Sequence, residues 1–318
     1  MQEETFFHSV DLDSLVIDTI LDFELYSRAH NDKFVLFRGN QSQFTFEHRD
    51  QLLANGIQTL YVSEQDQDNY GKYIEKNISR LVMDPTVPAT EKANLMYSVS
   101  KGVLLDAFAN PRSGDIVKRT EEIMTPMVYL ITRGKESLHN LISIMSHDYY
   151  TFTHSINVCV FTVALANQIG LDDKKDLHDL ATGALLHDIG KSEIPKEILT
   201  KSGPLTPEEF EVMKTHVVLG EKILSEKSHM NAQRMLAVSL HHERADGKGY
   251  PRGLISDDIH IHGRIAAIAD CYDAMTTKRS YANAKPGFEA LQLMMGKLKE
   301  GFDQELLRSF TGLLVKAE

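Results

Sequence analysis

Seven residues in the second half of the chain have side chains suited to holding metal ions, and they fall on five separate apolar segments. His154 lies in YYTFTHSINVCVF. His187 and Asp188 close LATGALLHDIGK, and His216 lies in FEVMKTHVVLG. His241 and His242 end RMLAVSLHHE, and Asp270 lies in RIAAIADCYDAM. Only three of the 14 histidines, at 8, 30 and 48, come before residue 139. Each of the seven is flanked by apolar residues on its own predicted helix face. An ionised Asp, or several imidazoles, buried in that way is strongly disfavoured without a partner. A metal ion is the partner all of them have in common. Any one alone reads as a core histidine or a chance dipeptide; five helices each offering a ligand read as a metal site. His139, His147, His178, His229, His260 and His262 lack this combination and are expected at the surface or behind the ligands.

HDIGK (187–191), then His216, HHE (241–243), DGKGYP (246–251) and DCYDAMTTKRSY (270–281) follow one another in that order. This series resembles the HD-GYP family, a branch of the HD-domain phosphohydrolases whose members hydrolyse cyclic di-GMP through linear pGpG and in some cases on to GMP. The likeness covers roughly residues 136–318 and leaves the first 80 outside. It implies one ion on His154, His187, Asp188 and Asp270, and a second on Asp188, His216, His241 and His242, with Asp188 bridging. At a helix end the backbone can bend so that consecutive imidazoles, such as His241 and His242, converge on one ion. Two ions roughly 3.5–4 Å apart acidify a bridging water and hold phosphate oxygens. The implied activity is therefore metal-dependent hydrolysis of cyclic di-GMP by an activated hydroxide, with Asp188 and Lys191 as catalytic residues.

Lys191 is further implied as the phosphate contact, and Arg279 as a clamp on a phosphate or guanine through its planar fork. A mixed His/carboxylate set suits six-coordinate divalent ions, iron or manganese rather than closed tetrahedral zinc. Tyr150 stands where some family members carry a glutamate that adds a third metal, so two ions are expected. Ala282 follows Tyr281 where members often show a basic residue. That departure leaves room for the alternative of a catalytically weak cyclic di-GMP-binding effector signalling through its N-terminal domain. In DGKGYP, Asp246 is expected to form an Asx turn, with Gly247 and Gly249 permitting close backbone approach. Glu243 is expected to hydrogen-bond a liganding histidine, and Asp273 to sit behind the ligands or make a local helix contact.

The elements that must position these residues are helical. From about 136 onward at least six amphipathic helices are expected, the clearest starting at LTPEEF: Thr206 as N-cap, Pro207 at the first helical position, Glu209 completing a capping box. Segments 90–111 and 114–134 read as connecting helices, the second broken or kinked at Pro126. Residues 1–82 differ. FELYSR, KFVLFR and IQTLYV read as strands, and TFEHRDQLLANG as a helix from Thr45 to a Gly56 stop. The expected fold is mostly α: a small α/β regulatory or partner-binding domain (1–82), a helical linker (83–135, opening at MDPTVPAT) and an all-helical HD-type domain (136–318).

Bulk properties agree. The chain has 318 residues, 42% hydrophobic and 25% charged, which suits about two globular domains. A net charge of −11 argues against polymeric nucleic acid as a partner, while metal ions and a few cations can still favour an anion in one cleft. No apolar run reaches the ~18 residues of a membrane span. Two cysteines, Cys159 and Cys271, both expected in the core, and no signal-peptide pattern point to the cytoplasm. The connecting helices could support a homodimer, and the GYP loop or the first domain a signalling partner.

Overall fold

The structure, a computed structural model, describes residues 6–29, 33–145, 151–278 and 283–315. His147, Tyr150, Arg279 and Ala282 lie outside the described residues. The chain divides into two compact units, Met1–Val99 and Ser100–Glu318.

The first unit is α/β. Its strands are β1 (Phe7–Asp11), β2 (Thr19–Leu21), β3 (Leu25–Arg28), β4 (Phe34–Arg38), β5 (Ser42–Phe44) and β6 (Thr59–Ser63). Four form an antiparallel sheet in the order β1-β6-β3-β4, and β2 pairs antiparallel with β5. Side chains alternate across a strand, so β6 buries Leu60 and Val62. After α1 (Phe46–Ala54), Gly56 takes φ +70°, a conformation that stops a helix and favours glycine. α2 (Gln67–Met83) buries Tyr73, Ile74, Ile78, Leu81 and Val82 on one stripe. The Tyr73 hydroxyl accepts the Val16 N–H at 2.9 Å, which ties α2 to the loop before β2. The segments FELYSR, KFVLFR and IQTLYV thus supply β3, β4 and β6. β1, β2, β5 and α2 were not read from the sequence; β2 and β5 have three residues each, too few for a period of two to register.

α3 (Ala89–Ala109) crosses the division between the units. The second unit continues with α4 (Ile116–Thr132), α5 (Lys135–Ile144), α6 (Thr151–Gln168), α7 (Lys174–Leu185), α8 (Lys196–Leu199), α9 (Pro207–Lys214), α10 (His216–Ser225), α11 (Ala232–Leu240), α12 (Ile261–Thr276), α13 (Gly287–Met295) and α14 (Gln304–Val315). The mostly helical architecture with a small α/β unit ahead of it is the expected one.

α6 is the central helix. It is buried without a break from Thr153 to Ala166 and packs against α4, α7, α12 and α14. A helix buried on every face belongs in the middle of a bundle. α7 also packs on α11, and α11 on α12. The Thr206–Glu209 capping box forms as expected: Thr206 Oγ1 accepts from Glu209 N at 3.2 Å, and Glu209 Oε2 accepts from Thr206 N at 2.7 Å. Pro126, however, lies inside α4 without ending it. Burial of Ile123, Met124, Met127 and Leu130 around it outweighs the one lost backbone hydrogen bond. Cys159 is buried as expected, but Cys271 is only half-buried.

One glycine sets the approach of two ligand-bearing segments. A Cβ on Gly190 would stand 1.9 Å from His216 O and 2.5 Å from Gly220 N. Only glycine lets the turn after Asp188 lie flat against the start of α10.

Candidate metal centre

α6 presents His154, and α7 ends just before His187 and Asp188, which enter a short 3-10 turn, Ile189–Glu193. α10 starts at His216. His241 caps α11 and keeps a helical backbone, and His242 follows it. Asp270 lies on α12. The structure brings all seven together. Donor atoms of Asp188, His216, His241 and His242 all lie within 4.8 Å of one another, as do those of His154, His187 and Asp188, so Asp188 belongs to both groups. Asp270 joins the two sides: Oδ1 is 3.0 Å from His154 Nε2, and Oδ2 is 3.5 Å from His242 Nδ1.

The hydrogen bonds behind the histidines decide which nitrogen faces inward. His187 Nδ1–H donates to Ala184 O at 2.8 Å, His216 Nδ1–H to Met213 O at 2.7 Å, and His241 Nδ1–H to Val238 O at 2.9 Å. A carbonyl only accepts, so the proton sits on Nδ1 and a neutral ring presents a bare Nε2 to the centre. His154 Nδ1 is held by the Asp273 carboxylate at 2.7 Å, and Asp273 in turn accepts from Asn157 Nδ2 at 2.8 Å.

The inward nitrogens crowd one another. His216 Nε2 lies 3.3 Å from His241 Nε2 and 3.3 Å from Asp188 Oδ1. With both ring protons on Nδ1, the two Nε2 atoms cannot hydrogen-bond; two lone pairs and a carboxylate oxygen meet there. His187 Nε2 and Asp188 Oδ1 are buried without a hydrogen-bond partner among the described residues. A cation resolves these contacts, and the donor set suits divalent metal ions.

The electrostatics prepare the same outcome. Burial pushes the His216 imidazole down to about 4 and that of His242 to about 3. Burial and the neighbouring histidines hold His241 well below its ordinary value. Burial alone would raise the Asp188 carboxyl, but the Lys191 ammonium and the His187 and His216 rings hold it well below the usual carboxylate range. Asp270 is likewise lowered against its burial, by the His154 hydrogen bond and by His242. Near neutral pH these imidazoles are neutral and these carboxylates charged, which is the state a metal ligand needs.

The centre is closed on one side. His154, His187 and His241 are 0% exposed at the side chain, whereas His242 is 24%, Asp270 12% and Lys191 11%. The open edge therefore runs along His242, Asp270 and Lys191. Lys191 Nζ donates to Asp188 Oδ2.

The GYP loop folds back over HHE. Tyr250 N–H donates to His242 O at 3.1 Å, and a Cβ on Gly249 would lie 2.6 Å from that same oxygen. Asp246 Oδ1 accepts from Lys248 N at 3.2 Å, the expected Asx turn, and is also clamped by Arg244. Glu243 is a correction. Its oxygens accept from Arg252 N at 2.7 Å and Leu254 N at 2.9 Å rather than from a liganding histidine among the described residues. His262 is buried, 0% exposed, with Nε2 3.1 Å from Asp176 Oδ1. Asn157 was missed altogether. Its spacing of three from His154, one helical face, is the signal that points to it.

A family model described as an HD domain matches residues 138–306. A Pseudomonas aeruginosa protein named as a cyclic di-GMP phosphodiesterase is 32% identical over 69% of this chain and 53% of its own length. A Thermotoga maritima protein of the same name is 41% identical over 52% of this chain and 45% of its own. The chain thus spans about half the length of these relatives. Among solved structures, a Bdellovibrio bacteriovorus protein described as an HDG"Y"P protein matches 97% of this chain and 99% of its own, with a TM-score of 0.69. At 22% identity that likeness concerns the fold. Among the described residues no helix is long and apolar enough to cross a membrane.

Proposed function

The chain belongs to the HD-domain family, and from that membership and the centre's geometry we propose that it hydrolyses cyclic di-GMP, opening the ring to linear pGpG, with GMP the product of a second cleavage. The observation that carries this reading is the meeting of the bare His216 and His241 Nε2 atoms at 3.3 Å beside Asp188. Buried donors of that kind, on the floor of a centre with one open edge, suit a metal-assisted phosphodiesterase. We assign one ion to His154, His187, Asp188 and Asp270 and a second to Asp188, His216, His241 and His242, with iron or manganese as the metals. When bound, such ions supply Lewis acidity towards a water and the phosphate oxygens.

The chain's own residues do the rest. Asp188, common to both groups, fixes their spacing. The Nδ1 hydrogen bonds hold four imidazoles so that no reorganisation is needed when substrate arrives. Lys191, at the open edge, is the ammonium donor to a non-bridging phosphate oxygen, and Arg279 is assigned to the phosphate or guanine. Residues 1–82 act as the input domain, 83–135 connect, and 136–318 hold the hydrolase. The GYP loop and the first unit are the surfaces offered to a signalling partner, and the connecting helices those offered to a second copy.

The test is one preparation. Protein purified anaerobically with iron or manganese is assayed for metal, then incubated with cyclic di-GMP and the products resolved by chromatography. Two ions per chain and accumulating pGpG are expected. Full metal loading with bound but uncleaved cyclic di-GMP would overturn the hydrolase and leave a binding effector.

A further inference from the structure

The open edge of the centre continues into an aromatic ledge that neither metal nor phosphate uses. The Tyr250 ring lies 4.6 Å from the His242 ring at 32°, and 6.3 Å from that of His216. Beyond it, Phe210 on α9 stands 6.3 Å from Tyr250 at 85°. Lys214, one turn further along α9, places Nζ 5.6 Å from the Phe210 centroid and 5.9 Å from that of Tyr250. It also pairs with Glu211 at 2.7 Å. Phe210 is 46% exposed, and α9 buries no residue. A large aromatic ring on such a helix contributes little to the core, and its position calls for another account.

Two roughly perpendicular aromatic rings with a mobile ammonium beside both suit a flat, π-rich ligand that displaces the Lys214 side chain from the ring faces. A base stacks on one face and edges against the other, and base–aromatic stacking is favourable for every base. The ammonium adds discrimination. Guanine presents the O6 and N7 acceptors to it, whereas adenine places its N6 amino group, a donor, at the equivalent position. The ledge begins where a phosphate at the centre would end, next to His242.

We propose that Phe210 and Lys214 form, with Tyr250, the subsite for one purine base of a cyclic dinucleotide, and that Lys214 makes it prefer guanine. This rests on the phosphodiesterase reading of the same centre, and the test separates the two. Metal-loaded wild type, Phe210→Ala, Phe210→Trp, Lys214→Ala and Lys214→Arg are titrated calorimetrically with cyclic di-GMP and cyclic di-AMP. They are also assayed on cyclic di-GMP, and metal content and Tm are measured for each.

Phe210→Ala should weaken cyclic di-GMP binding by roughly 5- to 150-fold, the range for one lost stacking partner. Metal content and Tm should not change, and Phe210→Trp should restore affinity. Lys214→Ala should narrow the preference for cyclic di-GMP over cyclic di-AMP, and Lys214→Arg should keep it. Unchanged cyclic di-GMP affinity in Phe210→Ala overturns the subsite while leaving the hydrolase intact. So does a loss of affinity that comes with a lower Tm or lower metal content, which marks a structural role. Wild type that binds cyclic di-GMP without cleaving it, with Phe210→Ala still weakened, overturns the hydrolase and supports the subsite. Wild type that does not bind it overturns both.

Discussion

His154 Nδ1 stands 2.7 Å from Asp273 Oδ2, and this contact turns His154 Nε2 towards Asp188 and Asp270. A carboxylate behind a histidine fixes its tautomer and raises its basicity as a ligand. Asp273→Asn keeps the shape but removes the charge and lets the amide present either end. We expect metal affinity to fall about 10–100-fold with the fold intact. Competition against a chelator of known affinity measures it; unchanged affinity would show that Asp273 is a helix contact only.

Asp188→Asn probes the shared ligand. A neutral amide is a poor partner for two cations, and it also loses the Lys191 contact. The loss should exceed the 10–100-fold expected of a residue behind the ligands, with less than one ion per chain retained and hydrolysis abolished. Metal analysis beside a circular dichroism spectrum decides it, since a folded variant that keeps two ions would remove Asp188 from the bridging position.

Much of this centre was legible in the sequence because its parts are local. HDIGK, HHE and DGKGYP each carry their chemistry within a few residues, and the apolar faces around His154, His216 and Asp270 show as helical periodicity. What could not be read is what the tertiary structure decides. Glu243 was expected to serve a histidine, yet it holds two backbone N–H groups of a loop whose return path only the fold reveals. Pro126 was expected to break or kink α4, and the helix continues through it with buried neighbours on either side. The three-residue strands β2 and β5 owe their existence to each other, a pairing that neither segment signals alone.

Gly190→Ala tests the close approach that brings His216 to Asp188. The added methyl meets backbone atoms, His216 O at 1.9 Å and Gly220 N at 2.5 Å, and these cannot rotate aside as a side chain would. α10 must shift. Overpacking of this kind costs about 1–3 kcal/mol, so we expect a lower Tm together with weaker binding of the ion assigned to His216, His241 and His242. A variant that loses stability but keeps both ions at wild-type affinity would separate the packing from the site.

Glu243→Gln tests the loop staple. Glu243 is 2% exposed, and both oxygens accept from backbone N–H groups. A glutamine side chain has one carbonyl oxygen, and its NH2 would face a second donor. Leaving a buried donor unsatisfied costs about 1–3 kcal/mol. Hydrogen exchange should quicken at Arg252 and Leu254 while metal content holds. Slow exchange at both amides would mean that the loop does not depend on this carboxylate.

Acid sensitivity should trace in part to Asp179 on α7, eight residues before His187. Asp179 is 1% exposed and accepts from Arg234 Nε at 2.7 Å, Lys175 Nζ at 2.7 Å and Asn231 Nδ2 at 3.2 Å. Burial by itself would raise its carboxyl, but these partners outweigh burial and hold it below its ordinary value. In the unfolded chain the same group takes up a proton near about 3.9. Between the two values the unfolded state binds more protons, so stability rises with pH. The contribution is complete above the unfolded value and is lost as pH falls through the folded one. Asp179→Asn removes it and leaves Arg234, 7% exposed, with Glu121 as its remaining carboxylate at 2.9 Å. Breaking a buried pair on one side costs about 3–5 kcal/mol at neutral pH. Urea unfolding of wild type and variant should therefore differ by about that amount at neutral pH, and the gap should shrink as both are taken below about pH 4. A gap that stays constant across that range would mean that the variant's loss comes from packing and not from the charge on Asp179.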